Sequence, residues 1–356
     1  MGLSNYVYPG ATHSRFSHAL GALYLMTSAI GNLRNKSVEI SDDEYLATCV
    51  AILLHDVGHG PFSHALERLI IEKDHESISL DIMRQLRPMN ESIVDLAIDI
   101  FTGKYHKKFL TQLVSSQLDM DRMDYLTRDS YYSGVAEGVI GYKRIIAMLN
   151  VVDDQLVVEE KGLYSIEKFI VARHIMYWQV YLHKASLAIE QMLGFYVSRL
   201  KQLLQSGTVE QNGSDLHTLL SSKNISEDYL NAFISLDDID IFYELKNAHS
   251  YEDRILKFVG QSILERKLFA VRLTEEKPTS ALEAELSKTV ADAYGIDLDM
   301  AKDLIITGEE SNKAYDIVND QIRILRKNGD VTPVSKMMDI KLKTQTITKH
   351  FIIYPK

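Results

Sequence analysis

Three short runs of the sequence carry residue types that can hold a metal ion. The run from His55 to His64 reads H-D-V-G-H-G-P-F-S-H, the run R-F-S-H ends at His18, and the run D-M-D-R-M-D-Y-L-T-R-D spans Asp119 to Asp129. A lone histidine, an adjacent His-Asp pair and a distant aspartate together offer two imidazoles and two carboxylates. Mixed nitrogen and oxygen ligands suit a divalent first-row metal better than a structural thiolate zinc site.

The adjacent pair His55-Asp56 is the most informative part of this pattern. It follows six apolar residues, Cys49 to Leu54, which we expect to be buried. A buried charge costs free energy unless a partner compensates it, and a bound cation would supply that compensation. The pair therefore favours a ligand role over a purely structural one.

Each of the other features has a simpler structural interpretation. His18 alone could be an ordinary hydrogen-bonded histidine, and Asp119, Asp121 and Asp124 could form a solvated helix face. The glycines and the proline of H-D-V-G-H-G-P are equally consistent with a plain turn. Four further histidines have no identifiable partner, and we expect them at the surface: His106, His217, His249 and His350.

Capping residues and apolar spacing place most of these side chains on helices. One helix is expected from Arg15 to Arg34. Ser41 followed by Glu44 is a capping-box pattern, so a second helix begins there and ends at the His55-Asp56 pair. The glycines beyond this pair end the helix, and Pro61 suits the first position of a new one.

Two further helices are expected to carry polar residues on one face. Asp121, Tyr125 and Asp129 follow one another at intervals of one turn. A long helix from about Leu163 to Leu204 includes four residues at spacings of four, four and three, namely Arg173, Tyr177, Tyr181 and Lys184. The tyrosines alone are consistent with core packing, but the two cations on the same face favour an anionic ligand.

The pattern changes after about residue 265. Residues Asn150 to Glu160 already indicate one hairpin, and the last part of the chain adds short strands, a helix and a second hairpin around Asn328-Gly329. The expected elements are strands at Phe269–Leu273, Leu304–Thr307 and His350–Tyr354, a helix at Ser280–Ala293 and a hairpin over Arg323–Val334. We therefore predict a mainly α protein, with a helical domain over 1–265 and a small α+β domain over 266–356. Gln205 to Asp215 is expected to be an exposed connector.

Composition excludes several classes of protein. The 356 residues are 46% hydrophobic and 25% charged, as in an ordinary globular protein. The net charge of −10 argues against a nucleic-acid coat protein and against a basic membrane-surface protein. The single cysteine, Cys49, fits a reducing compartment. The sequence has neither an apolar run long enough to span a bilayer nor a signal segment at its start, so we expect a cytoplasmic protein.

Taken together, five motifs resemble the HD-domain phosphohydrolases, and more closely the deoxynucleoside triphosphate triphosphohydrolase branch, which includes the sterile-alpha-motif/HD-domain dNTPase. They occur in the family's order over the first half of the chain: Y-V-Y-P-G-A-T-H-S-R-F-S-H (6–18), L-L-H-D-V-G-H-G-P-F-S-H (53–64), D-H-E-S (74–77), L-D-M-D-R-M-D-Y-L-T-R-D-S (118–130) and A-R-H-I-M-Y-W-Q-V-Y-L-H-K (172–184). The bare H…HD…D pattern serves many phosphohydrolases. Its combination with D-R-M-D-Y and V-Y-L-H-K is much more specific.

The resemblance implies one divalent metal ion and does not distinguish Mn, Fe, Mg, Zn or Ni. Its implied ligands are His18, His55, Asp56 and Asp121. The residue chemistry agrees, because two imidazoles and two carboxylates leave open positions for a water and a phosphate oxygen.

The resemblance also implies roles around a nucleotide. Arg15, His59 and His64 would surround the α-phosphate, where charge grows in the transition state. Candidates for moving a proton to the leaving 5′-oxygen, or for orienting the water, are His75, Glu76 and Glu67. The expected substrate-binding residues beyond Arg15 are Arg122, Arg173 and Lys184 at the outer phosphates, Tyr125 and Asp129 at the sugar, and Tyr177 and Tyr181 on the long helix. Tyr181 would pack against the sugar C2′ and disfavour ribose.

The start of the chain departs from the family pattern. Family members carry a leading segment, typically ending in a pattern like R-L-x-x-I-x-Q-L-G, where this chain has only Met1-Gly2-Leu3 before Y-V-Y-P-G-A-T-H. That segment supplies a glutamine near the sugar and, in regulated members, part of a nucleotide activator site. We therefore expect the natural chain to be longer, and the chain as given to bind metal but to turn over nucleotides weakly or with poor selectivity.

The function expected from these features is the hydrolysis of a dNTP to deoxynucleoside and triphosphate. One alternative is an HD phosphohydrolase acting on another nucleotide, a monophosphate or a signalling nucleotide. The other is a non-catalytic nucleotide-binding regulator, against which the complete ligand set argues. The expected partners are the nucleotide and further copies of the chain in a homodimer or homotetramer, with no membrane and no nucleic acid.

Overall fold

A computed structural model describes residues 2–222, 229–312, 321–340 and 347–356. Within these ranges the protein is mainly α-helical, which confirms the predicted fold class. The described α-helices are α1 (Arg15–Asn35), α2 (Asp42–Leu54), α3 (His75–Gln85), α4 (Glu91–Phe101), α5 (Lys108–Val114), α6 (Met120–Ser133), α7 (Tyr142–Met148), α8 (Leu163–Met176), α9 (Lys184–Gln205), α10 (Asp215–Ser221), α11 (Tyr229–Ser235), α12 (Asp238–Asn247), α13 (Arg254–Leu264), α14 (Ser280–Tyr294) and α15 (Leu298–Asp303). No helix in these ranges is both long and apolar enough to cross a membrane.

The described strands form two small sheets. They are β1 (Leu149–Val152), β2 (Gln155–Glu159), β3 (Ala270–Thr274), β4 (Ile306–Asn312), β5 (Arg323–Leu325), β6 (Val331–Pro333) and β7 (Ile347–Tyr354). One sheet has the order β1-β2-β5-β6 and the other β3-β7-β4. In the first sheet β5 pairs in parallel with β2, with Val158 opposite Ile324, and all other pairs are antiparallel.

Helix caps explain why the elements that carry the site begin where they do. The Ser14 side chain accepts a hydrogen bond from the third residue of α1, and Asp119 caps α6 in the same way. At α2, the predicted capping box is present, since Ser41 and Glu44 each accept the other's backbone N–H. The predicted helices at 15–34 and 41–54, and the helix carrying Asp121, are therefore confirmed.

The predicted long helix from 163 to 204 is wrong as one continuous helix. After α8, residues Tyr177–Tyr181 form a π-helical turn, and α9 begins only at Lys184. A π turn widens the helix and changes the angular position of the residues beyond it. The spacing that was to place Lys184 on the face of Arg173 therefore no longer applies.

Three smaller predictions also need correction. Pro61 does not open an α-helix, because it lies in a turn two residues before a single 3-10 turn at Ser63–Leu66. The strand expected at Leu304–Thr307 starts later and is longer, since α15 occupies the residues before it. His217 is not at the surface: it is 1% exposed, and its Nε2 lies 3.0 Å from Oε2 of Glu244. A buried carboxylate partner satisfies it.

The other predicted elements are confirmed with small shifts at their ends. They are the hairpin of β1 and β2, strand β3, helix α14, the hairpin of β5 and β6, and strand β7. Residues 206–214 form the expected, mostly exposed connector. His106 and His249 are exposed as predicted, whereas His350 is half-buried on β7.

Two apolar cores organise the chain. The first is built around α1, α2, α4 to α8 and the first sheet, and it includes Ile324 and Val334. The second is built around α9 to α13, α15 and the other sheet. The segment after α2 passes from the first core, which contains Ile52, to the second, which contains Phe62 and Leu66. The His-Asp pair lies on this segment. The division of the chain near residue 265 stays a prediction.

Candidate active site

Four residues, from α1, α6 and the turn that follows α2, bring their ligand atoms together at the end of α2. Nε2 of His18 lies 3.1 Å from Oδ1 of Asp121 and 3.9 Å from Oδ2 of Asp56. Nε2 of His55 lies 3.4 Å from the same Asp121 oxygen and 3.5 Å from Oδ1 of Asp56. The structure thus assembles the four residues that the sequence predicted as metal ligands. We call them the His-Asp cluster.

The remaining ring nitrogens fix how the two imidazoles face this cluster. Nδ1 of His18 lies 2.7 Å from Oδ2 of Asp124, and Nδ1 of His55 lies 2.7 Å from the carbonyl oxygen of Ile52. Each contact places a proton on Nδ1 and turns Nε2 toward the cluster, the orientation found in metal-ligating histidines. Nε2 of His55 is buried and has no hydrogen-bond partner among the described residues. A buried ring nitrogen without a hydrogen-bond partner, beside two carboxylates, fits a bound cation.

The electrostatics of the His-Asp cluster also favour a bound cation. Burial disfavours the imidazolium form of His18, yet the hydrogen bonds and charges of Asp121 and Asp124 raise its pKa to about 9. Burial opposes ionisation of Asp121 too, but its two histidine neighbours lower its pKa. The carboxylates therefore attract positive charge, and a group of His18, His55 and Asp56 can hold a metal ion.

Arg15 adds a cation beside this cluster. Its Nη1 lies 2.6 Å from Oδ2 of Asp56, and its Nε donates to Oγ of Ser63 at 2.7 Å. The guanidinium bridges the end of α2 and the turn after it. This arrangement places fixed positive charge next to the ligand set, where an anionic oxygen would be stabilised.

A second group of side chains, His59, His64, Glu67 and His75, lies next to the His-Asp cluster; we call it the histidine cluster. The rings of His59 and His75 stack at 3.9 Å with an interplanar angle of 10°. The carboxylate of Glu67 accepts a hydrogen bond from each of the two other histidines. Its Oε1 lies 2.7 Å from Nδ1 of His75, and its Oε2 lies 2.8 Å from Nδ1 of His64. Burial raises the pKa of a carboxyl, but these two imidazole contacts lower the pKa of Glu67 to about 2.

The turn between the two clusters is held by close backbone packing. Oγ of Ser79, on α3, donates to the carbonyl oxygen of His55 and accepts from the amide of Gly58. A Cβ at Gly58 would overlap the carbonyl oxygen of His75 and the amide nitrogen of Ser79. The glycine is therefore required by close approach, not only by a turn, and this contact places His75 beside the His-Asp pair.

Both clusters open onto one large cavity of about 1350 Å³. A cavity of this size accommodates a nucleotide-sized ligand. Among the residues predicted for the site, those that line it are Arg15, His18, His55, Asp56, His59, His64, His75, Glu76, Asp121, Arg122, Tyr125, Asp129, Tyr177 and Tyr181. Glu67 contacts the cavity-lining residues His64 and His75. Arg173 and Lys184 are not part of the lining.

Away from the clusters, the cavity wall carries a hydrogen-bonded pair, Tyr181 and Asp129. The Tyr181 hydroxyl donates to Oδ2 of Asp129 at 2.6 Å, and Nε2 of His13 lies 2.8 Å from Oδ1. The ring of His13 stacks on Tyr132 at 4.6 Å, while Tyr125 meets Tyr181 edge to face at 6.3 Å. Burial and the Asp129 charge raise the pKa of Tyr181, so the hydroxyl stays a donor.

The three cations predicted for the outer phosphates differ in placement. Nε of Arg122 donates to the carbonyl oxygen of Ser116, and Nη1 of Arg173 donates to Oε1 of Gln117. Burial and the neighbouring charge of Arg122 lower the pKa of Arg173, as expected for two close guanidinium groups. Lys184 is exposed at the start of α9. The structure brings Arg122 and Arg173 together but leaves Lys184 out.

Sequence reasoning missed several residues that shape the site. Asp124 is buried and binds both His18 and, through two hydrogen bonds, Arg128. The interpretation of the acidic run as a solvated helix face is therefore wrong at Asp124, and also at Asp119, which is buried. The i,i+4 spacing of Asp124 and Arg128 was visible in the sequence. His13 and Gly21 gave no comparable signal, because their roles depend on contacts with α6.

Comparisons with known proteins match the part of the chain that carries these residues. The family model of the HD domain matches residues 15–129, and that of the HD associated region matches residues 140–224. The uncharacterized protein YwfO of Bacillus subtilis (strain 168) is 31% identical over 100% of this chain and 84% of its own length. The deoxynucleoside triphosphate triphosphohydrolase SAMHD1 homolog of Dictyostelium discoideum is 29% identical, over 58% of this chain and 44% of that protein.

A solved structure of a phosphohydrolase is also similar to this chain over its whole length. The crystal structure of a phosphohydrolase from Bacteroides thetaiotaomicron VPI-5482 matches with a TM-score of 0.94 and 42% identity, over 100% of this chain and 91% of that one. Helical fold, His-Asp cluster and relatives together define an HD-domain protein. The chain belongs to the HD-domain phosphohydrolase family, in the branch that resembles the deoxynucleoside triphosphate triphosphohydrolases.

Proposed function

We propose that this protein hydrolyses deoxynucleoside triphosphates to deoxynucleoside and triphosphate with a divalent metal ion. One observation carries the proposal: a single cavity joins the His-Asp cluster, Arg122 with Arg173 beside it, and the Tyr181–Asp129 pair. These three features match the reacting phosphate, the outer phosphates and the sugar of one nucleotide. The low-identity triphosphohydrolase relatives support the same substrate class.

His18, His55, Asp56 and Asp121 would hold the metal ion. When bound there, such an ion polarises a phosphate oxygen and lowers the pKa of a water molecule. The protein's own contribution is to fix the ligands: Asp124 holds Nδ1 of His18, and the Ile52 carbonyl holds Nδ1 of His55. These contacts keep both Nε2 atoms directed at the site.

Around the reacting phosphate, the residues would supply charge and move a proton. Arg15 lies beside Asp56 and would stabilise negative charge on the α-phosphate, together with His59 and His64. His75, whose Nδ1 contacts Glu67, would give a proton to the leaving 5′-oxygen. Glu76 is exposed and lines the cavity, where it would help to orient the water.

The far parts of the nucleotide would be held by separate groups. Arg122 and Arg173 would bind the outer phosphates, which would relieve the repulsion between their charges. Asp129 would accept a hydrogen bond from the 3′-hydroxyl, and Tyr125 and Tyr181 would pack on the sugar. Tyr177, the next ring after Tyr181 at 6.2 Å, would extend this wall. Lys184 is not included, because it is exposed and the π turn at Tyr177–Tyr181 separates it from the helix face that carries Arg173.

Product analysis tests the proposal most directly. The chain is incubated with a panel of dNTPs, NTPs, nucleoside monophosphates and cyclic or dinucleotide signalling nucleotides, each with several divalent metals, and products are identified by chromatography. Intact triphosphate and a deoxynucleoside are expected, because the residues that would hold the metal face the position proposed for the α-phosphate and the outer phosphates would stay bound. Orthophosphate as the primary product, or turnover of monophosphates alone, would refute it.

Ligand variants test the metal assignment separately from activity. His55→Ala and Asp56→Ala should lose bound metal and turnover while keeping their helix content by circular dichroism. His249→Ala, an exposed histidine far from the site in sequence, serves as the control. Elemental analysis that finds one metal per chain retained in both ligand variants would contradict the assignment.

A further inference from the structure

We propose that the second sheet, formed by β3, β7 and β4, positions the tyrosines of the π turn for sugar recognition, and that Lys349 and Trp178 are positioning residues. The proposal rests on the proposed function, because the π turn includes Tyr181, the expected gate against ribose. Nζ of Lys349, on β7, lies 4.3 Å from the centre of the Trp178 ring. A cation over the face of an aromatic ring is attracted to it, so this contact ties the turn to the sheet.

A second contact joins the same sheet to the same turn. The hydroxyl of Tyr177 donates to the carbonyl oxygen of Ser311, on β4, at 3.1 Å. Burial and the negative charge of Glu310 raise the pKa of Tyr177, so its hydroxyl stays protonated and remains a donor. Two consecutive residues of the π turn are therefore held by two neighbouring strands of one sheet.

The register of β4 and β7 places Lys349 on the face of the sheet that adjoins the cavity. Glu310 and Lys349 lie directly opposite each other in this antiparallel pair, and the side chains of opposite residues project from the same face of a sheet. Glu310 lines the cavity. The face that carries Lys349 over Trp178 therefore also forms part of the cavity wall, and a shift of this sheet would move both the wall and the turn.

The rest of the π turn is anchored to other parts of the chain. The Tyr8 hydroxyl donates to the carbonyl oxygen of Gln179 at 2.9 Å, and Val180 is fully buried. Tyr181 donates to Asp129 on α6. Every residue of the turn thus has an anchor, and the second sheet supplies the first two. A π turn is a rare geometry that is frequent at functional sites, so loss of an anchor should let it relax and move the ring of Tyr181.

This arrangement predicts an effect on the choice of sugar. The ring of Tyr181 excludes an added hydroxyl only while its position is fixed, because a loosely held ring gives way to the larger sugar. Lys349 would act through Trp178 and the turn, not on the nucleotide itself. Its removal should therefore change the discrimination between deoxyribose and ribose more than the turnover of the deoxynucleotide.

Amide hydrogen exchange and steady-state turnover of the full chain test the proposal together. Lys349→Ala should speed up exchange at residues 177–181 by about two- to fivefold, the factor to which a partly exposed cation–π contact corresponds. The ratio of dGTP to GTP turnover should fall by a similar factor. Lys349→Arg keeps a cation over the ring and should restore both values. Thr348→Ala is the matched control, because Thr348 is exposed and projects from the opposite face of the same strand.

The fluorescence of Trp178 checks the contact without nucleotide. Trp178 is the only tryptophan of the chain, so a red shift of the emission in Lys349→Ala, and none in Thr348→Ala, would report the exposure of this ring. A general loss of stability would lower both turnover rates and leave their ratio unchanged.

Three outcomes would each overturn the proposal: an unchanged emission maximum, an unchanged exchange rate at residues 177–181, or faster exchange with an unchanged turnover ratio. The failure of the proposed function has a different signature. Faster exchange in Lys349→Ala, together with an unmodified chain that releases no triphosphate, would refute the proposed function and confirm that the sheet positions the turn.

Discussion

The hydroxyl of Tyr181 donates a 2.6 Å hydrogen bond to the carboxylate of Asp129, across the wall of the cavity. The bond joins the π turn after α8 to the second half of α6. It uses one oxygen of Asp129, while His13 contacts the other at 2.8 Å. A carboxylate held from both sides presents its remaining lone pairs in a fixed direction, as a specific hydroxyl acceptor needs.

The Tyr181 ring is the expected gate against ribonucleotides. Tyr181→Ala opens space near the sugar, so the ratio of dGTP to GTP turnover should fall by roughly 10- to 100-fold, the range a tight fit against one hydroxyl provides. Tyr181→Phe keeps the ring and removes only the bond to Asp129, so it should retain most of the discrimination. Steady-state rates with both substrates measure this. An unchanged ratio in Tyr181→Ala would show that the gate lies elsewhere.

We expect Asp129 to recognise the 3′-hydroxyl of the substrate's sugar by accepting a hydrogen bond from it. In Asp129→Asn, one strong acceptor becomes an amide, so kcat/KM for dNTPs should fall by about 10- to 100-fold, equivalent to a lost charged hydrogen bond. The corresponding 2′,3′-dideoxy substrates lack the hydroxyl and should lose much less. Comparing the two substrate series separates recognition from misfolding, because misfolding would reduce both equally.

The sequence indicated which residues the structure brings together more accurately than it indicated the path of the chain. The ligand types are local facts, and the caps at Ser41 and Asp119 fix the helices that carry them. The π turn at Tyr177–Tyr181 could not be predicted, because it depends on the residues against which the widened turn packs. Asp124 was missed for a similar reason: its partner His18 lies 106 residues away.

The pairing of strands in the first sheet is another feature that local sequence does not predict. The hairpin of β5 and β6 was evident from Asn328-Gly329, but its pairing with β2 joins residues more than 160 positions apart. Hairpin turns are encoded locally, whereas the choice of a distant partner strand depends on the assembled core. The strand contributes Ile324, fully buried, to the first core.

This pairing gives a test of the predicted division near residue 265. Ile324→Ala should destabilise the full chain by about 2–5 kcal/mol, because it leaves a cavity in the first core. Ile340→Ala, at a position 47% exposed, should cost much less. A fragment of residues 1–265 lacks Ile324 and Val334 and should unfold at lower urea than the full chain. A fragment as stable as the full chain would support an independent first domain.

Gly21 and Gly31, both on α1, should respond in opposite ways to the same substitution. A Cβ at Gly21 would overlap Oδ1 of Asp124 and Nη2 of Arg128, whereas one at Gly31 would meet nothing within 4 Å. Gly31→Ala should stabilise the protein by about 0.5–1 kcal/mol, the gain expected in a helix interior. Gly21→Ala should cost about 1–3 kcal/mol through overpacking.

The metal content of these glycine variants adds a second readout. Asp124 orients His18, so displacing it in Gly21→Ala should weaken metal binding by about 10- to 100-fold, as for other residues that orient a ligand. Gly31→Ala should bind metal like the unmodified chain. Urea unfolding and metal titration measure the two effects. Equal stability and equal affinity in both variants would disprove the contact.

The stability of the chain should depend on pH through Glu44. Its carboxylate is buried and accepts hydrogen bonds from the Ser41 amide, the Tyr105 hydroxyl at 2.6 Å and Lys107 Nζ at 2.9 Å. Burial raises the pKa of a glutamate, but the bonds from Lys107 and Tyr105 outweigh it and lower the pKa of Glu44 below its usual range. In acid, the unfolded chain therefore takes up this proton before the folded protein does.

That order of protonation sets the sign of the effect. The stabilisation is complete above the unfolded-state value of about pH 4.3 and is lost as pH falls through the lower folded-state pKa. Glu44→Gln should therefore reduce stability at pH 7 by about 1–3 kcal/mol and flatten the fall in acid. Glu39→Gln, at an exposed position, is the matched control. Urea unfolding from pH 7 to pH 3 measures both, and identical acid slopes in the two variants would rule out Glu44 as the source.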